Sequence, residues 1–241
     1  MKLSTIRWRW SMRRLAVVGM GFSLVAASGC KVDNALGPSN NQAIMQFINA
    51  ANRYATADLF VDGVDALPGL PYGQGSSIFV NAPTTPRSFV IRSAPDTTTL
   101  ASSQLVVTNN ATYALILTQR TSGAGLLVLP DTVSPPPVNS VGLRIVNAAP
   151  AAGAVDVYLT GADSTALTTP VATNIPLEGV MNYQYVGVGN LHLVVTATGT
   201  KTVLLDVNGS QLTAGKVRTI VVVDANGGGL PVTWLAIPDI G

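Results

Sequence analysis

The chain has 241 residues, 47% hydrophobic, 6% aromatic and 11% charged, with 14 basic and 12 acidic residues, one His and one Cys. That length accommodates one large domain or two small ones. A lone Cys excludes an intramolecular disulfide, and a formal charge of +2 gives no basic surface of the kind nucleic acid requires.

The basic excess sits at one end. Lys2, Arg7, Arg9, Arg13 and Arg14 precede the apolar run "LAVVGMGFSLVAASG" with no acid among them, the charged and apolar regions of a secretory leader. The run is short for a membrane span, which needs about 20 residues. It ends "AASGC", and Ala27, Ser28, Gly29 and Cys30 resemble the lipobox of bacterial lipoproteins, with Ala27 where Leu is more usual. That resemblance implies cleavage after residue 29 and acylation of Cys30. The remaining chain has nine basic and 12 acidic residues, a formal charge of −3, so the lipid rather than a basic patch would hold the membrane. Lys31 after the Cys favours the outer membrane, by resemblance to the enterobacterial sorting rule. Residues 30–41, the lipidated Cys and "KVDNALGPSNN", read as a flexible tether.

Beyond the tether the chain repeats itself. "QFINAANRYATADLFVDG" and "RIVNAAPAAGAVDVYLTG" place Asn49, Asp58 and Gly63 against Asn147, Asp156 and Gly161, each at an offset of 98. "SFVIR" meets "LHLVV" at 103, "NATYALIL" meets "GKVRTIVV" at 105, and "LVLPD" meets "LAIPD" at 108. An offset that grows along the chain indicates homologous halves with small insertions in the second. The expected organisation is a leader over 1–29, a tether over 30–41, one repeat over 42–131, a Pro-rich linker over 132–140 and a second repeat over 141–241.

Short runs of Val, Ile, Leu, Thr and Tyr between turn formers predict about seven strands per half. In the second half they fall near 141–148, 154–160, 181–187, 190–198, 201–207, 217–224 and 231–237, with Asn208-Gly209 predicting a tight hairpin. The expected fold class is all-β: two tandem immunoglobulin-like β-sandwich domains after an N-terminal signal helix and tether. The longest apolar runs, "ATYALILT" and "RTIVVVDA", are strand-length.

Chemistry-bearing residues are few. His192 lies in the strand-like "NLHLVV", matched by Phe89, which makes it a packing or strand position rather than a catalytic base. Asp58, Asp62 and Asp65 invite a calcium reading, but the second half offers only Asp156, Thr160 and Asp163, and the plainer reading is a hairpin with Asp before Gly63. No nucleophile elbow, phosphate loop or Cys/His metal spacing is present. No catalytic residue, metal or cofactor is assigned, and the protein is expected not to be an enzyme; a hydrolase using Asp residues is the less favoured alternative. Asn and Asp are suited to bonding local backbone, so both are expected to brace the irregular connection that follows Asn49 and Asn147.

"LRIVNAAPAAGAVDVYLTG" resembles the opening of a bacterial secreted family, domain of unknown function four-three-nine-seven, in which a "V-x-H/N-A-S/A-P … VDVY-x-x-G" pattern begins each copy. The first copy departs from it at Asn52 and in "ADLF". The resemblance implies a secreted or surface-attached β-sandwich, in tandem, and no known activity. The expected role is a lipid-anchored envelope module with a structural or binding function. Its partners would be the membrane, through the lipid, and an envelope protein or polysaccharide. A carbohydrate-binding or adhesive module using Tyr54, Tyr72, Tyr158 or Tyr183 as platforms is the alternative.

Overall fold

A computed structural model describes residues 41–131, 134–161 and 167–240. The leader, Cys30, the tether to residue 40 and Asp163 lie outside the described residues. Strands dominate: β1 (Gln42–Asn49), β2 (Thr56–Val61), β3 (Val64–Pro71), β4 (Gly75–Asn81), β5 (Arg87–Ser93), β6 (Thr99–Leu105), β7 (Thr112–Arg120) and β8 (Gly123–Asp131) in the first half. The second half has β9 (Ser140–Asn147), β10 (Val155–Gly161), β11 (Ala172–Ile175), β12 (Val180–Gly187), β13 (Gly189–Ala197), β14 (Val203–Leu212), β15 (Val217–Val223) and β16 (Thr233–Ile240). One 3-10 turn, Pro150–Ala152, is the only helical segment among the described residues.

The two halves repeat one topology. Sheets β4-β1-β7-β8 and β3-β2-β5-β6 form the first sandwich; β12-β9-β15-β16 and β11-β10-β13-β14 form the second. In each, the opening strand pairs parallel with the seventh, β1 with β7 and β9 with β15. The first core holds Met45, Phe47, Leu59, Phe89, Ile91 and Leu115. The second holds Leu143, Ile145, Val157, Leu193, Val195 and Ile220.

A third apolar cluster joins the halves. Ile48, Ala114 and Ile116 from β1 and β7 pack with Val146, Val221, Val223 and Ile237 from β9, β15 and β16. The two inner sheets therefore meet face to face, and the sandwiches stack as four layers. This explains the burial patterns: β2 alternates, iBiBiB, because one face meets solvent, whereas β7 and the Thr219–Val223 part of β15 are buried on both faces. A strand buried on both faces needs a continuous apolar run, and "ATYALILT" and "RTIVVVDA" are those runs.

Three expectations change. Among the described residues each half has eight strands rather than about seven; β11 is four residues long and carries Thr and Asn, too weak a pattern to read. Asn208-Gly209 does not turn the chain. β14 runs through it, with His192 opposite Asn208 and Leu191 opposite Ser210, so Gly209 is the extra residue of a bulge, a role Gly also fills. The counterpart of Phe89 is not His192. Asp58 faces Arg92 and Asp156 faces Thr196, which aligns β5 with β13 at an offset of 104 and sets Phe89 against Leu193 and Ser88 against His192. An error of one residue moves a strand position to the opposite face.

Candidate functional site

The repeated Asn and Asp hold one feature of the edge strand in each half. Asn49 and Asn147 are both fully buried. The Asn49 Nδ2 donates to the carbonyls of Tyr54 (3.0 Å) and Leu70 (3.2 Å), and its Oδ1 accepts from the Ala51 N–H (3.2 Å). Asn147 makes the same three bonds, to the carbonyls of Gly153 (2.8 Å) and Ile175 (3.0 Å) and from the Ala149 N–H (3.2 Å). Each Asn thus closes the connection after its own strand and ties it to β3 or β11.

The Asp acts one residue away. Asp58 Oδ1 accepts from the Gly69 N–H at 2.6 Å, and Asp156 Oδ1 accepts from the Asn174 N–H at 2.8 Å. Gly69 (φ 63°) and Asn174 (φ 52°) are left-handed, and each is one of two residues standing opposite a single Asp, a β-bulge. The Asp does not brace the first connection as the sequence leads one to expect. It caps the N–H of the bulged residue while the Asn accepts duty for the carbonyl of the next one. Asp156 has a second anchor, the Gly199 N–H at 2.9 Å. The Asn174 amide bond is the largest influence on its carboxyl; with the Gly199 and Thr198 bonds and the Lys201 charge it outweighs burial and holds the group below its ordinary value.

Gly63 and Gly161 do different work. Asp62 (φ 49°) and Gly63 (φ 84°) form the tight turn between β2 and β3, which requires positive φ twice. β10 instead runs through Gly161, and β11 begins only at Ala172. Asp62 accepts from the Ser88 N–H (2.7 Å) and pairs with Arg87 (2.5 Å). Among the described residues no group of His, Cys, Asp or Glu is close enough to hold a metal ion. His192, 4% exposed, bridges Thr160 Oγ1 (Nδ1, 3.0 Å) and Asp206 Oδ1 (Nε2, 2.9 Å) across three strands.

The four tyrosines weighed as sugar platforms are partly or wholly buried. Tyr54 packs on the first core, and Tyr158 lies beneath Lys201, whose Nζ is 4.4 Å from the ring centroid. Tyr72 and Tyr183 tie the halves together. The Tyr72 hydroxyl donates to the Asp224 carbonyl at 2.6 Å, and the Tyr183 hydroxyl donates to Asp131 Oδ1 at 2.6 Å. Burial first, with the nearby Asp in each case, pushes both hydroxyls up to about 12. Buried Arg144 stacks on Tyr183 and donates to the Pro130 carbonyl across the same interface. At its other end Glu178 accepts from Arg120 Nε (2.8 Å) and Nη2 (2.7 Å) and from Thr118. Burial raises the Glu178 carboxyl, but the Arg120 and Thr118 bonds and the Arg120 charge together bring it below its ordinary value.

A cleft of about 380 Å³ opens at this junction, lined by loops that correspond between the halves. Asn52 and Arg53 follow β1, and Pro150 follows β9; Gln119, Arg120 and Thr121 end β7, and Asp224, Gly227 and Gly228 follow β15. Gln119 is 4% exposed, and its Nε2 donates to the carbonyls of Arg120 (2.8 Å) and Gly123 (3.2 Å). Its Oε1 is buried without a hydrogen-bond partner. Gly227, Gly228 and Gly229 have φ of 97°, 88° and 84°, and a Cβ on Gly228 would come within 3.0 Å of the Asn52 amide. These residues were not singled out by sequence. The readable signal was that polar residues follow the longest apolar strand of each half, Gln119 to Thr121 after "ATYALILT" and Asp224 after "RTIVVV".

Comparison with known proteins adds the following. No curated protein matches the chain. Among solved structures it is similar to the crystal structure of CBMbc (family CBM26) from Eubacterium rectale Amy13K in complex with maltoheptaose, at 10% identity and a TM-score of 0.27, covering 80% of this chain and 95% of that one. Residues 43–158, from β1 through the strand that carries Asp156, match the family described as Domain of unknown function (DUF4397).

Proposed function

We propose that the protein is a lipid-anchored module of the cell envelope, at the outer membrane, that holds a partner rather than transforming one. The observation that carries the binding role is the cleft of about 380 Å³ between the sandwiches, whose lining brings together Asn52, Arg53, Gln119, Arg120 and Asp224. The shared apolar cluster between inner sheets makes the two sandwiches one platform, with the cleft loops fixed relative to each other. Anchoring rests on Cys30 and the leader before it. Envelope protein or polysaccharide is the partner class that this location offers.

Mass spectrometry of the protein from the membrane fraction tests the anchor. The expected N-terminus is acylated Cys30, lost to the soluble fraction in Cys30→Ser. An unmodified N-terminus elsewhere would refute the anchored reading.

A further inference from the structure

We infer that the pole of the double sandwich at which the tether enters rests on the lipid surface, seated by exposed apolar side chains; this deepens the anchored reading proposed above and rests on it. Strand direction defines the poles. β1, β7, β9 and β15 all end at the cleft, so their starts lie together at the opposite end. Asn41 before β1, the linker 132–139 before β9, and the segments that follow β2, β6 and β12 belong to that opposite end.

Exposed apolar residues gather there. Among the described residues nine large hydrophobic side chains are exposed, and six of them, Val64, Phe79, Val106, Val138, Tyr185 and Val188, lie at or next to this pole. Val64 (67% exposed) follows the turn after β2, Val106 (54%) follows β6, and Val138 (90%) stands in the linker. The Val188 N–H donates to the carbonyl of Asn139 in that linker at 3.1 Å. Phe79 faces Ile44 and Tyr185 faces Gly142, near the starts of β1 and β9. Leu230 and Val203 lie toward the cleft end, and Val171 on the flank between. Single apolar residues on a surface mean little, whereas a cluster at one end marks a contact.

Chain length names the contact. Residues 31–40 separate Cys30 from Asn41, and fully extended they reach about 35 Å. An acyl group on Cys30 therefore keeps this pole within reach of the bilayer, while the tether alone would let the body tumble. Charge points to apolar seating rather than attraction to anionic headgroups. Arg87 is paired with Asp62, and Lys216 and Arg218 at the start of β15 are offset by Asp65 and Asp131. A few valine tips orient a protein that acyl chains already hold. The seating turns the cleft away from the lipid.

The test places the acylated full chain on phosphatidylcholine vesicles with a nitroxide quencher in the lipid chains. One fluorophore at a time is attached through Val138→Cys, Val188→Cys or Leu230→Cys; Cys30, its sulfur bearing lipid, takes no label. The Val138 and Val188 labels are expected to be quenched severalfold more than the Leu230 label. Val138→Asp with Val188→Asp is expected to abolish quenching of a label on Val106→Cys while the protein still floats with the vesicles. All four side chains are exposed, so these substitutions leave the cores intact.

Equal quenching at the two poles, stronger quenching of the Leu230 label, or Val106 quenching that survives the double substitution overturns the inference. So does a blue-shifted but unquenched Val138 label, which would mark contact with protein in place of lipid. Each of these failures leaves the anchor standing as long as the protein floats. A wild-type chain that does not float refutes the anchor, and the seating with it.

Discussion

Glu178 stands where Gly73 stands in the other half. The Gly73 N–H donates to the Asn49 carbonyl at 2.9 Å and the Glu178 N–H to the Asn147 carbonyl at 2.7 Å, and both residues are left-handed, at φ 78° and 63°. One half uses the residue that adopts this conformation freely. The other keeps a side chain there, and that side chain reaches Arg120 and Thr118 of the first half.

Replacing Glu178 separates backbone strain from the ion pair. Glu178→Ala and Glu178→Gly both remove the carboxylate, but only Ala retains a Cβ at positive φ. The Gly variant is expected to be more stable than the Ala variant by about 1 kcal/mol, read from urea denaturation midpoints. Equal stability would mean that the turn relaxes away from its left-handed state.

Asn147→Ala removes the partner of two carbonyls and one N–H, all in or beside the interior. A loss of at least about 2 kcal/mol is expected, since each buried orphan costs about 1–3 kcal/mol. Asn49→Ala should cost a similar amount, because its bonds are the same three. A variant within about 0.5 kcal/mol of wild type would show that water replaces the amide.

Acid should weaken the protein through Asp156 and Glu178. Both carboxyls titrate below their ordinary values of 3.8 and 4.5 in the folded chain. The folded state thus favours the ionised form, and the stabilisation is present in full above those values and is lost as pH falls through the lower folded ones. Melting temperature should be flat above about pH 5.5, a unit above the ordinary Glu value, and fall beneath it. Asp156→Asn should flatten part of that fall; an unchanged slope would place the titrating groups elsewhere.

Alkali should act on the interface. Tyr72 and Tyr183 are raised from 10.0 to about 12 in the folded chain, so their contribution is complete below pH 10 and is lost as pH rises through about 12. Tyr183→Phe should lower stability at neutral pH and remove part of the loss between pH 10 and 12, monitored by circular dichroism. An alkaline profile identical to wild type would count against the Tyr183–Asp131 bond.

The joined cores predict cooperative unfolding. Trp234, the single Trp of residues 30–241, packs against the second core, so its fluorescence reports one half while circular dichroism reports both. The two transitions should coincide in urea. Val221→Asp places a charge in the shared cluster and should pull them apart. Separate transitions in the wild-type chain would contradict a common core.

Much of this fold is legible in the residues. The strands near 141–148, 154–160, 181–187, 190–198 and 217–224 appear where alternation and β-branched runs place them, because side-chain period records which face of a strand is buried. β11 escaped notice, since a four-residue edge strand held by side-chain clamps needs little apolar pattern. The bulge at Gly209 was read as a turn because Asn-Gly suits either. The cleft residues gave no motif, since they meet only when corresponding loops of two halves converge.

The sequence by itself determined the duplicated β architecture, the strand positions and the recurrence of Asn, Asp and Gly, all of which follow from local periodicity and turn chemistry. Tertiary structure decided what those residues hold: the Asp58 and Asp156 carboxylates cap bulged residues 11 and 18 positions away. It also decided that "ATYALILT" and "RTIVVVDA" face each other across a shared core, and that Gln119 is left with an unanswered acceptor. A strand's pattern states that a face is buried; only the packing of the whole chain names what covers it.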